Sequence, residues 1–160
     1  FGNQQIVSVA MGQLGNSGGQ KFWSWYGFES RVEWCACFAS WCAEQSGMVA
    51  SGQVLKFSSC AVGASWFQGQ GRWKGKGYTP SAGDFIFFDW NKDGQVDHVG
   101  IVVNVANGRV NTIEGNTSNM VARRSYQFGG IVIVGYGYIY NLLTKYPPCY
   151  IFITINVINI

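Results

Sequence analysis

The chain has 160 residues, the size of one domain and enough to bury a core without disulfides or metals. With 48% apolar and 12% charged residues it is neither disordered nor a coiled coil. A net charge of +3 without a Lys/Arg block gives no electrostatic footprint for nucleic acid, and the longest apolar run, 151–160, is too short to span a bilayer.

In chain order, Phe1 stands where a full chain would have Met, so a domain cut from a longer parent chain with further domains is expected. Asn3 can cap a first helix in which Ile6, Val9, Ala10 and Leu14 recur at helical spacing until Gly15. From Gly15 to Glu33 glycine and aromatic residues alternate without periodicity, which reads as a long ordered loop. A second helix is expected from about Trp34 to Ser46, with Gly47 at its stop and with Cys35, Phe38, Trp41 and Cys42 on one face. Residues 48–80 are mixed, with one short helical turn around Ala61–Phe67, and Pro80 to Gly83 marks a turn. Strands are expected at Asp84–Trp90, Asp97–Val105, Arg109–Glu114, Val121–Tyr126 and Ile131–Tyr140. Asn107-Gly108 joins the second and third of these as a two-residue hairpin, because both central positions want positive φ. Helices first and hairpin-linked strands after them make an α+β pattern, with N-terminal helices packed on an antiparallel β-sheet. One domain is expected over residues 1–140. In the tail, 141–160, Ile151, Ile153, Ile155 and Val157 alternate as in an extra strand that packs on the sheet or pairs with another edge.

Aromatic residues are dense, with 7 Trp, 8 Tyr and 11 Phe. Core filling explains most such rings, but Phe22-Trp23-Ser24-Trp25-Tyr26 cannot all point inward, so a ring-lined binding groove is the second reading. The five cysteines, at 35, 37, 42, 60 and 149, include no CxxC pair and the chain has one histidine, so a zinc site of usual spacing is not supported.

Any imidazole chemistry must use His98, which opens a strand directly after a polar loop and is therefore held at the rim of the sheet. Cys35 is the best nucleophile, since first-turn N–H groups and the helix dipole favour a thiolate there and can donate to an oxyanion. Cys37 and Cys42 lie deeper in the helix and read as structural. A third group should orient the imidazole. Counting outward from the Asn107-Gly108 turn places Thr117 opposite His98 and Glu114 opposite Ile101, so Glu114 is about three residues out of register. A bulge would have to correct this, and Asn116 is nearer by the same count.

Glu33-Trp34-Cys35-Ala36-Cys37-Phe38-Ala39-Ser40-Trp41-Cys42, Gly83-Asp84-Phe85-Ile86-Phe87-Phe88-Asp89-Trp90, Asp97-His98-Val99-Gly100-Ile101-Val102 and Thr112-Ile113-Glu114-Gly115-Asn116 together resemble the CHAP family, the cysteine, histidine-dependent amidohydrolases/peptidases. The resemblance runs from Ile6 to Gly137. It implies a papain-like α+β fold and hydrolysis of amide bonds in bacterial peptidoglycan, outside the cell at the wall. It also implies Cys35 as nucleophile, His98 as base, Glu114 as its orienting partner and Asn116 as the last polar member. Trp34, Trp25, Tyr26 and Trp90 are the candidate substrate-binding rings. No cofactor is required, and the positive net charge suits an anionic wall. Two other readings use the same residues: a wall-binding module that does not cut, and a peptidyl or acyl transferase that passes the thioester to an amine.

Asp89, Asn91, Asp93, Gly94 and Asp97 match positions 1, 3, 5, 6 and 9 of a calcium loop, but Gly100 stands where position 12 needs a bidentate Glu. Turn geometry is the preferred reading of this loop, with calcium as the alternative. In the extracellular setting that the resemblance implies, a disulfide from Cys60 to Cys37 or Cys42 is expected, leaving Cys149 as the odd thiol.

Overall fold

A computed structural model describes residues 3–140. Four helices precede or flank six strands: α1 Gln4–Met11, α2 Gln20–Tyr26, α3 Cys35–Gln45 and α4 Cys60–Gly69, then β1 Trp73–Gly75, β2 Phe85–Phe88, β3 His98–Ala106, β4 Arg109–Thr117, β5 Met120–Gln127 and β6 Ile133–Gly137. The strands form one antiparallel sheet in the order β1-β6-β2-β3-β4-β5. This is the α+β architecture expected, with the helices packed on the sheet. The expected extra strand, and Cys149 with it, fall outside the described residues.

Asn3 caps α1 as its sequence position suggests, its side chain accepting from the N–H of Gln5 at 3.1 Å and of Ile6 at 3.3 Å. The helix stops earlier than expected, and Leu14 lies beyond it, exposed. Between Gly15 and Glu33 the structure replaces the expected loop with α2. This helix has seven residues, too short to show a period. Gly19 starts it at φ 64°, with the Trp34 ring so near that a Cβ would lie 2.1 Å from it. Only glycine fits there, and the close approach docks α2 on the head of α3. Phe22 is then buried against Trp34, Phe38 and Trp41. The short turn expected at Ala61–Phe67 is a longer helix, α4, capped by the Ser59 hydroxyl on the N–H of Val62. The three-residue edge strand β1 carries no sequence signal of its own.

The helix α3 is buried nearly all round, as a helix enclosed between layers must be. Its small residues Ala36, Ala39, Ser40 and Ala43 let neighbours approach closely, and Ser40 makes two bonds to one residue, Phe57. Its hydroxyl donates to the Phe57 carbonyl at 2.6 Å and accepts from the Phe57 N–H at 2.9 Å. The inner strand β2 is buried on both faces, which is why it is apolar throughout. Phe85, Phe87, Val99, Ile101 and Ile113 join the helices in the main core, while Ile86, Phe88, Val102, Val110 and Tyr136 form a smaller cluster.

Candidate active site

Cys35 is the first residue of α3, and the preceding Trp34 supplies no side-chain cap. The first-turn amides therefore keep their capacity to face a negative charge. His98 is the first residue of β3, paired with Phe88, and its ring lies 5.7 Å from those of Phe88 and Trp90. Both groups are almost enclosed, with 5% of Cys35 and 8% of His98 exposed.

Glu114 reaches the imidazole through a local irregularity. From the Asn107-Gly108 turn the pairing runs as an ideal hairpin to Asn104↔Asn111, then shifts so that Val102 faces Thr112 and Ile101 faces Ile113. Val103 is the extra residue of a β-bulge. The shift carries Glu114 to the level of Gly100, where an added Cβ would lie 2.6 Å from Glu114 Cγ. The missing side chain leaves a passage across which Glu114 extends diagonally to His98. Oε1 of the carboxylate lies 2.8 Å from His98 Nε2. Two further donors hold the carboxylate: the Thr112 hydroxyl bonds Oε2, and the Tyr126 hydroxyl donates at 3.0 Å to Oε1 and 2.8 Å to Oε2. Glu114 is wholly buried. Thr112 and Tyr126 were not singled out in the sequence. Thr112 had a usable signal, two residues before Glu114 on the same strand face; Tyr126 arrives by a second hairpin that nothing local announces.

With Nε2 committed to Glu114, the other ring nitrogen is left for a second partner. The Cys35 pKa is lowered well below the ordinary thiol value: the hydrogen bond shared with Cys60 is the largest cause, burial opposes it, and His98 and the Val99 N–H add to it. Burial favours the neutral ring of His98, yet Cys35 and Glu114 together outweigh it and raise its pKa to about 10. Both shifts favour a thiolate beside an imidazolium. Burial pushes Cys37 up to about 11 and Cys42 upward as well, so neither competes as a nucleophile.

Other candidates fall elsewhere. Asn116 turns away from the imidazole: its amide donates to the Glu33 carboxylate and its oxygen accepts from Arg31 at 3.1 Å. Trp34 is corrected outright, being 0% exposed beneath Gly19 and stacked on Phe22, so no substrate can touch it. Trp25 and Tyr26 are half-buried, with the Lys56 ammonium 4.4 and 4.9 Å from their ring centroids. Trp90, 43% exposed and stacked flat on Phe88, presents an open ring beside His98. The expected bridge from Cys60 to Cys37 or Cys42 is also absent: Cys35, Cys37, Cys42 and Cys60 are free thiols. The two helix heads instead bring Cys60 to Cys35.

In the 89–97 loop the side chains satisfy the loop's own backbone. Asp89 accepts from the N–H of Asp93 and of Gly94, Asn91 from Asp93, Asp93 from Gln95, and Asp97 from Trp90. Among the described residues no group of three His, Cys, Asp or Glu is placed to hold a metal ion. Asp89, Asn91, Asp93 and Asp97 thus bond the turn's own N–H groups.

The chain matches the CHAP domain family over residues 25–116, a span that holds Cys35, His98 and Glu114. It belongs to that family. Ly7917, crystallised with the hydrolysing product of MDP, shares the fold with a TM-score of 0.54 and 20% identity, over 83% of this chain and 61% of that one. Ly7917 in a second crystal structure gives a TM-score of 0.54 and 17% identity, over 85% and 61%. An NLP/P60 family protein from Staphylococcus aureus, described as similar to lipoprotein, gives 0.49 and 16%, over 86% and 41%. This chain therefore spans about 61% of the length of Ly7917. A search of curated proteins found no match.

Proposed function

We propose that this chain cleaves an amide bond of bacterial peptidoglycan, in the stem peptide or cross-bridge, through a thioester on Cys35. The observation that carries this reading is the His98 ring, held by the buried Glu114 carboxylate at 2.8 Å and acting on Cys35 at the head of α3 to favour its thiolate. Membership of the CHAP family supports it.

The Cys35 thiolate attacks the amide carbonyl, and its electron pair forms the carbon–sulfur bond while the carbonyl pair moves to oxygen. First-turn amides of α3 face the oxyanion. Collapse expels the amine, which takes its proton from the His98 imidazolium. Neutral His98 then accepts a proton from water as that water attacks the thioester, and the thiolate leaves beside a restored imidazolium. Glu114 fixes the ring orientation and stabilises its charge, as the third member of such a relay does. The mechanism uses no cofactor. Trp90 offers a flat apolar face to the substrate next to the leaving-group side of the ring. We assign the site of action to the cell wall, outside the bacterium.

Mass spectrometry of purified peptidoglycan digested with the chain tests this. New amine ends are expected, at the N-terminus of the stem peptide for an amidase and inside the stem or cross-bridge for an endopeptidase; MDP serves as a minimal probe of the first. Binding without new ends would indicate a wall-binding module. Aminolysed products on adding an amine would indicate a transferase. Complete loss of activity on chelation, restored by calcium, would contradict the cofactor-free mechanism.

A further inference from the structure

The sulfur of Cys60, the first residue of α4, lies 3.5 Å from the sulfur of Cys35, the first residue of α3. That separation is within hydrogen-bond range for sulfur and well beyond the roughly 2.05 Å of a disulfide. Two helix heads thus present two buried thiols to each other, and the polar environment admits one negative charge between them. We propose that Cys60 keeps its proton and donates it in a hydrogen bond to the Cys35 thiolate, acting as a positioning residue for the nucleophile.

The surroundings decide which sulfur is the donor. Cys35 faces the imidazolium of His98 and the N–H of Val99, both of which favour its anion. Cys60 lies in the field of the Asp97 carboxylate, in the loop that leads into β3, which opposes a charge there. Glu114 on β4 acts on the pair through His98. The ionisation of each sulfur follows the same division. The Cys60 contact is the largest cause that lowers Cys35, and the Cys35 contact is the largest that raises Cys60. The thiolate is thereby held from three directions: an imidazolium, a backbone amide and a neighbouring thiol. A thiol donor stabilises the anion without adding a charge that substrate would have to displace.

This inference rests on Cys35 being the nucleophile, but its test needs no substrate. The rate of iodoacetamide alkylation at Cys35, located by peptide mass spectrometry, is measured against pH on pre-reduced full chain. In Cys60→Ala the acid limb is expected to rise by about one pH unit, making alkylation about tenfold slower at a pH on the limb. Cys60→Ser, which retains a donor, should leave the limb near its original position. An unmoved limb in Cys60→Ala overturns the proposal, as does an equal shift in both variants. Should Cys60→Ala fail to fold, the order of alkylation of the two sulfurs in the native chain at neutral pH decides the matter. The proposal requires Cys35 to be labelled first; preferential labelling of Cys60 would make Cys60 the charged sulfur. Loss of the hydrolase reading would appear separately, as intact peptidoglycan with a normal alkylation profile.

Discussion

At the level of single residues, the proposed reaction requires two charges, on Cys35 and His98. Protonation of Cys35 removes the nucleophile, and deprotonation of His98 removes the acid that releases the amine. The first pKa is lowered and the second raised to about 10, so hydrolysis is expected to be flat across neutral pH and to fall as pH approaches about 10. An alkaline limb near the ordinary histidine value would contradict the ion pair. Glu114→Gln removes the charge that supports the imidazolium, so the alkaline limb should move to lower pH and kcat/KM should fall about a hundredfold or more. Trp90→Ala should raise KM with a smaller effect on kcat, measured with soluble muropeptides, since in the proposed reaction its exposed ring meets substrate and not the reacting atoms. The places of Cys35 at a helix head and of His98 at a strand rim were legible in the sequence because each carries a local signal. Trp34 was misread because exposure of a ring depends on what packs above it, here Gly19.

The β3–β4 hairpin is the element that turns a misregistered carboxylate into a partner. Ideal pairing put Glu114 opposite Ile101, and the bulge at Val103 moves it one place closer to His98. No residue type marks that bulge, since Val103 is as suited to a regular strand as to an irregular one. Gly100 completes the device by leaving the lane open. Gly100→Ala would set a methyl group 2.6 Å from Glu114 Cγ. It should cost about 1–3 kcal/mol in denaturant unfolding. It should also lower kcat by about a hundredfold through displacement of the carboxylate. Wild-type kcat in this variant would show that Glu114 reaches His98 by another route. The same limit on local signals explains α2, whose seven residues bury Phe22 without repeating it.

Across the whole molecule, the buried helix α3 packs against α1, α2, α4 and the sheet, and Cys35 at its head inherits that rigidity. Ser40 ties the middle of α3 to the 53–57 segment through both backbone groups of Phe57. Ser40→Ala leaves a buried N–H and C=O without their partner and should cost about 1–3 kcal/mol, read as a lower thermal midpoint. The α+β order was legible because helices and strands occupy separate halves of the chain. The meeting of Cys60 with Cys35 was not, because it depends on how two helices converge and sequence spacing carries no such information.

The most direct measurement compares amine ends released from purified peptidoglycan by the native chain and by Cys35→Ala, with circular dichroism showing both folded. The account predicts new ends from the native chain and none above background from the variant. Equal release by the folded variant would contradict it, and the sulfur at the head of α3 would lose its role.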